Sequence, residues 1–458
     1  MLWPQTPAGR QAQAWLARFN SGDAQVFQAF IDKAAAEAYR TQHQPIDYAW
    51  CWLHSRGYAA SGVVDSAPHR IVFRTRDQIV GQPYHITLTV GQTAPHRITG
   101  VTISHTPLDD PPPTLASAAA TIEALATADV FSGVVLVTRG DSVLLESVQG
   151  LANRRYAVPN TIDTRFNIGS INKAFTAAAI MQLASNGVLR VDDRLDPYWP
   201  HAPSAAVTLH HLLTHTSGFG SVFTEDFFST ARDRFSSLAD FQPLLAEQTL
   251  SFSPGSEWQY SNVGYLLLGL VIEAATGADY HDVVRDLVFT PAGMTATGSP
   301  AWDAPIPKVA IGYTRFGVDW QPVDMILRSN LFLGLYRGTS DGGGLSTVWD
   351  LTRFAAALYN GSLPGVARLL QRSVTTGQPD EHRYGYGLES RTIDGVQVVG
   401  HNGGFPGVAA QLDFFPTLGI TSVVLANCDY PGPRIVWREL RRAIAQGEKH
   451  TGGSMHGQ

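Results

Sequence analysis

Apolar and polar positions divide the chain into stretches with different periods, and the period is the first guide to secondary structure. "AGRQAQAWLARFNSGDAQVFQAFIDKAAAEAYR" spaces its apolar residues helically. Ser21 reads as an N-cap, with Asp23 in the first turn and Val26, Phe27 and Phe30 on one face. "HRIVFRTR", "YHITLTVG" and "HRITGVTIS" then alternate and are rich in β-branched residues, which predicts strands. "PLDDPPPTLA", Pro107 to Ala116, holds three consecutive prolines and reads as a stiff linker. Beyond it, "SGVVLVTRGDSVLLESVQG" predicts a hairpin about Gly140–Asp141. Residues 170–290 are helical in pattern. "GVQVVGHNGG", "VAAQLDFFP" and "ITSVVLANCD" return to strands, and "PRIVWRELRRAIAQ" predicts a final helix.

Strands at both ends of this second part predict one sheet assembled from its two termini, with a helical half inserted. The fold class is therefore α+β throughout. Residues 1–106 are expected to form a small α+β domain, 107–116 a linker, 117–447 the larger domain, and 448–458 a disordered tail.

Composition adds exclusions. The 458 residues are 44% hydrophobic and 16% charged, with a net charge of −6, a globular balance for two domains. No run of Lys and Arg makes a stripe for nucleic acid or an anionic membrane. No apolar run of about 18 residues exists, so no membrane span is expected. The N-terminal "MLWPQTPAGRQAQAW" lacks the basic-then-apolar pattern of a secretory signal. A periplasmic or secreted location is expected if a signal has been removed, and a cytoplasmic one otherwise. Cys51 and Cys428 rule out a disulfide framework.

Candidate chemistry centres on "FNIGSINKAFTAAAIMQLAS". Ser170 and Lys173 are three apart at a predicted helix start, so they share a face. A serine hydroxyl becomes a good nucleophile when a neighbour takes its proton, and a desolvated lysine can do so. The helix N-terminus also offers N–H groups to a developing oxyanion. Ser and Lys are equally ordinary at a helix start, so the pair alone does not decide. "EWQYSNVGYLLLGLVIEAATG" places Tyr260 and Asn262 before a helix that Gly277 closes. An adjacent Lys⁺ would favour the Tyr260 phenolate. Asn262 is expected either to cap that helix or to donate to a substrate carbonyl or the lysine. "VVGHNGGFPGVAAQLDFFP" sets His401, Gly403 and Gly404 on a strand, where glycine marks close approach. The N–H of Gly404 is expected to complete an oxyanion hole with that of Ser170.

Other motifs compete. "GTSDG", Gly338 to Gly342, matches the nucleophile elbow and makes Ser340 a rival, but the helical stretch 170–290 does not fit the alternating fold that elbow needs. "HHLLTH" gives His211 and His215 zinc-helix spacing without a Glu between them or a third ligand, so no metal is expected. Tyr384 and Tyr386 are read either as cleft residues or as packing against the sheet. Asp192 and Asp193 are read as a turn.

"FNIGSINKAFTAAAIMQLASNG", "LHHLLTHTSGFG", "QYSNVGYLLLGLVIEAATG", "TPAGM" and "GHNGG", in this order over about residues 115–445, resemble the serine β-lactamase and penicillin-binding-protein superfamily, on its class C and esterase side. The resemblance implies a β-lactamase/transpeptidase-like domain in which Ser170 is acylated, Lys173 and Tyr260 handle protons, and Asn262 and His401 to Gly404 position substrate. It implies an acyl-enzyme serine hydrolase acting on a small ester, amide or peptide, with no cofactor. His401-Asn402-Gly403 stands where family lactamases carry Lys-Thr-Gly or Lys-Ser-Gly. That departure favours an esterase or peptidase over a dedicated lactamase. The alternative is a lactamase, or a penicillin-binding receptor with little turnover. "RFNSGDAQVFQAFI" and "PHRITGVTI" resemble the cone-shaped NTF2-like domains, which implies an accessory role and a possible homodimer.

Overall fold

The computed structural model describes residues 1–43, 45–106, 113–201, 207–321, 323–363, 369 and 372–452. The chain divides into two compact units. One comprises Met1–Pro112, Glu123–Val130 and Pro322–Ile326, and the other comprises Pro113–Ile122, Phe131–Gln321 and Leu327–Gln458.

The first unit begins with helices α1 (Pro7–Phe19), α2 (Ala24–Ala34), α3 (Glu37–Gln42) and α4 (Pro45–Ser55). An antiparallel sheet follows in the order β1 (Tyr58–Ala67), β2 (Arg70–Asp77), β3 (Pro83–Val90), β4 (Ile98–His105). The helices-then-sheet order matches the periodicity of the sequence. One cap differs from expectation. Asp23, not Ser21, caps α2, accepting from the N–H groups of Gln25 and Val26. A carboxylate next to the helix is the stronger acceptor there. Trp15, Phe19, Phe27 and Tyr48 close the core in mutual ring contact. The prolines of the expected linker, at 111–113, lie mostly outside the described residues. Helix α5 (Leu115–Thr127) begins before the expected linker ends.

The second unit is built on a sheet of eight strands. In spatial order these are β7 (Val374–Thr375), β8 (Arg383–Tyr384), β9 (Glu389–Ile393), β10 (Val396–Phe405), β11 (Val408–Phe415), β12 (Ile420–Ala426), β5 (Gly133–Arg139) and β6 (Ser142–Gln149). Every neighbouring pair is antiparallel. The predicted hairpin is β5–β6, turning at Gly140–Asp141. It joins the C-terminal strands through β12, so the sheet is assembled from both ends of the unit. Every residue of β11 is buried, as a strand covered on both faces requires.

Helix α6 (Asn172–Ser185) is the centre of the helical half, buried from Asn172 to Leu183. Its composition is apolar on all sides because no side meets water. Helix α8 (Asn262–Thr276) packs on it, helix α7 (Leu209–Leu213) packs on α8, and Gly277 ends α8 at φ 68 as predicted. Helix α9 (Val348–Asn360) lies on β12 and β5. Helix α10 (Gly432–Gly452) lies on β9, β11 and β12, and its range runs beyond the expected domain end at 447. The rest of the expected tail, 453–458, lies outside the described residues. No single described helix is long and apolar enough to cross a membrane.

Candidate active site

A tight turn, Gly169–Ile171, feeds the chain into α6 and packs on β10 and β11. Two glycines permit this contact. Gly169 has φ 50, and a Cβ there would lie 2.8 Å from the Gly404 nitrogen. A Cβ on Gly403 would lie 1.9 Å from the Ile168 carbonyl oxygen and 3.0 Å from the Ser170 nitrogen. The glycine pair therefore exists because β10 runs against the backbone that carries Ser170. The geometry brings Ser170 beside Gly403 and Gly404.

Lys173 is fully buried one turn on. Its Nζ donates to Ser170 Oγ (3.2 Å), Asn262 Oδ1 (2.7 Å) and the Asp341 carbonyl (2.5 Å). Three acceptors satisfy its three donor directions, which is how a buried ammonium is tolerated. Burial nevertheless disfavours the charge. It pulls the Lys173 pKa down to about 8, against an opposing pull from Asp341. The Nζ also lies 4.9 Å from the Tyr260 ring centroid.

Ser170 is the polar neighbour that favours ionisation of the Tyr260 hydroxyl. The Tyr260 pKa runs opposite to the phenolate expectation. Burial raises it well above the ordinary value and outweighs the influence of Ser170, so the resting group is a phenol. Asn262 does not cap α8. Ser261 does, accepting from the Gly264 N–H at 3.0 Å, and this leaves the Asn262 amide oxygen for Lys173.

His401 lies at the back of the cleft, 1% exposed. Its Nε2 pairs with the Tyr384 hydroxyl at 2.9 Å, and its ring centroid is 6.4 Å from that of Tyr260. Burial, helped by the Lys173 charge, lowers its pKa to about 4 despite the pull of Glu389. The imidazole is therefore neutral at pH 7, away from the titration point expected of a histidine. Strand alternation turns Asn402, the next residue, to the exposed side, where it lines the cleft.

The cleft holds about 500 Å³. Ser170, Tyr260, Asn262, Asn402 and Gly404 line one end. Phe223, Phe227, Trp320, Leu333, Leu335 and Phe405 form an apolar wall. Trp320 stands edge-on to Phe405, with centroids 5.1 Å apart. Arg337 and Arg434 also line the space.

The rival Ser340 is fully buried and packs against α8, where a Cβ on Gly269 would touch its Oγ. Its loop has a different part. Asn172, Lys173 and Thr176 of α6 donate to the carbonyls of Thr339 (2.7 Å), Asp341 (2.5 Å) and Ser340 (2.6 Å). Three consecutive carbonyls thus hold one face of α6. The signal for this loop, its glycines, was present in the sequence, but its partners are more than 160 residues away. His211 and His215 do not share a helix, since α7 ends at Leu213 and His215 has φ 60. Among the described residues no group of His, Cys, Asp or Glu is placed to hold a metal ion. Tyr384 and Tyr386 are both buried, Tyr386 meeting His210 at 2.9 Å.

The model of the family described as Beta-lactamase matches residues 118–446. The chain is 28% identical over 320 residues to penicillin-binding protein 4* of Bacillus subtilis, covering 67% of this chain and 70% of that protein. It is 31% identical over 357 residues to esterase EstB of Burkholderia gladioli, covering 68% and 89%. Among solved structures, a penicillin-binding protein from Bacillus halodurans superposes with a TM-score of 0.62 at 32% identity, covering 72% of this chain and 98% of that one. Members of this family are serine hydrolases that work through an acyl-enzyme, penicillin-binding proteins and esterases among them. The chain belongs to the beta-lactamase family.

Proposed function

We propose that this protein hydrolyses a small ester or amide with a hydrophobic acyl group, by acylation of Ser170. The observation that carries the reading is Ser170 Oγ held 3.2 Å from a fully buried lysine whose pKa is about 8. A lysine near neutrality can act as a base at ordinary pH.

The proton balance follows from these two states. Neutral Lys173 takes the Ser170 proton as Oγ attacks the carbonyl. The oxyanion lies against the N–H groups of Ser170 and Gly404. The Tyr260 phenol protonates the leaving group and becomes a phenolate beside the new Lys173 ammonium. In the second half, the phenolate takes a proton from water as the oxygen attacks the acyl carbon. Ser170 leaves with the proton held by Lys173, and every group returns to its resting state. Asn262 positions the lysine through its amide oxygen. His401 acts from behind the wall, through Tyr384 and β10, while Asn402 faces the substrate.

The apolar wall supports a hydrophobic acyl group. With His401 neutral and buried, His401-Asn402-Gly403 offers no cation, which favours uncharged esters. The presence of Arg337 and Arg434 favours a second reading, capture of a carboxylate-bearing β-lactam with slow turnover. None of the described residues in 1–106 lines the cleft. We assign residues 1–106 an accessory role, with 107–116 as the linker, 117–447 as the hydrolase domain and self-association through the first domain as the further expectation. Light scattering of the full chain checks that last point, and a monomer would dismiss it. A panel of p-nitrophenyl esters, D-amino-acid amides and a chromogenic cephalosporin tests the function. Fast ester turnover with little cephalosporin hydrolysis is expected. Cephalosporin turnover exceeding that of every ester would reverse the assignment.

A further inference from the structure

His215 is a buried imidazole that the mechanism above does not use. It is fully buried, and it follows the end of α7 with φ 60, a backbone region that a non-glycine residue seldom occupies. Such outliers persist where their surroundings impose them, and they gather at functional sites.

Its contacts say what imposes it. The His215 carbonyl accepts from the Gln259 N–H at 3.0 Å, and its Nδ1 accepts from the Ser261 N–H at 3.1 Å. These are the two residues flanking Tyr260. The His215 ring also packs on the Tyr260 ring, with centroids 4.3 Å apart, and on Tyr384 at 4.4 Å. One residue therefore holds the N–H of the neighbour on each side of Tyr260 and packs on the Tyr260 ring. The left-handed backbone brings the carbonyl and the ring nitrogen of one residue to the same short segment. The second grip needs a lone pair on Nδ1, so the proton resides on Nε2, which has no hydrogen-bond partner in the structure. Burial holds the ring neutral, which keeps that lone pair available.

We propose that His215 is a positioning residue for the Tyr260 hydroxyl: its carbonyl and Nδ1 hold the N–H groups of the residues on either side of Tyr260, and its ring fixes the phenol against Ser170. This rests on the reading of Ser170 and Tyr260 given above. The same clamp orients Ser261 as the α8 cap, and so sets where Asn262 begins. A misplacement of about 1 Å in a reacting group can cost about 100-fold. The clamp should therefore appear in the chemical step and leave substrate binding little changed.

The test compares His215→Asn with His215→Leu in the full chain. Asparagine tolerates the left-handed backbone and offers Oδ1 near the Nδ1 position, whereas leucine fills similar space with no acceptor. The readouts are kcat and KM on a p-nitrophenyl ester and the rate of fluorophosphonate labelling. His215→Leu should lose about 100-fold in kcat and in labelling rate with KM within about threefold, and His215→Asn should recover to within about tenfold of wild type. Should the leucine variant not fold, His215→Gln serves, because its amide matches Nε2 and not Nδ1. A folded acceptor-less variant with wild-type kcat would overturn the proposal. So would an asparagine variant as impaired as the acceptor-less one. A wild type that resists labelling at Ser170 would instead count against the nucleophile assignment on which the clamp depends.

Discussion

The proposed chemistry ties the pH dependence of kcat/KM to two shifted groups. Burial brings the Lys173 pKa from 10.5 down to about 8 and raises that of Tyr260 well above 10. If neutral Lys173 is the base, kcat/KM follows its deprotonated fraction in the free enzyme. With a pKa of about 8, that fraction is about 0.09 at pH 7 and about 0.5 at pH 8. Activity should rise about fivefold over that unit, about twofold more above it, and then level off. His401, at about 4, adds no inflection near 6.5. The tyrosine, still a phenol, adds no fall below pH 10. Lys173→Arg keeps the charge and cannot lose its proton, so it should lose about 100- to 10,000-fold in kcat and show no alkaline rise. The assay is initial rates on a saturable p-nitrophenyl ester from pH 5 to 10, corrected for spontaneous hydrolysis. A profile flat from pH 6 to 9, or one rising through 6.5, would refute the assignment of Lys173 as the base.

Three other perturbations separate the parts of the site. Tyr260→Phe keeps the ring that packs on His215 but removes the hydroxyl proposed to protonate the leaving group; kcat should fall about 100- to 10,000-fold in steady-state assays, with KM changed far less. Gly403→Ala drives a Cβ into the Ile168 carbonyl, whereas at Gly404 the nearest atom is the movable Tyr430 hydroxyl at 2.8 Å. Alanine at 403 should therefore abolish activity and lower the melting temperature, and alanine at 404 should cost less in both; equal effects would contradict the packing described. Each methylene buried on the apolar wall contributes about 0.8 kcal/mol, so kcat/KM should climb about fourfold per carbon from acetyl to hexanoyl esters. Trp320→Ala should flatten that slope, and an unchanged slope would remove the wall from the acyl site.

Much of this was legible in the sequence because it is local. Ser170 and Lys173 are one helical turn apart, Tyr260 and Asn262 precede an evident helix start, and the strands around His401 alternate plainly. The two-ended sheet followed from the positions of the β-like runs. What the sequence hid depends on contacts distant along the chain. Asn262 was free to meet Lys173 because Ser261 took the cap, a choice between neighbours that composition does not settle. The lysine charge alone points to a Tyr260 phenolate, while burial, a property of the assembled fold, keeps it a phenol. "GTSDG" advertised Ser340, yet its carbonyls, which every residue has, are what α6 uses. The spacing of His215 to His211 suggests only metal-helix geometry, and its φ and its hold on Gln259 and Ser261 reveal another part.

The central claim is that Ser170 carries the acyl group. Intact-protein mass spectrometry after a fluorophosphonate pulse, with peptide mapping of the adduct, tests it most directly. The account predicts one adduct on wild type, mapped to Ser170, and none on a folded Ser170→Ala variant that is also inactive. An adduct on Ser340, or full labelling and turnover by Ser170→Ala, would contradict it.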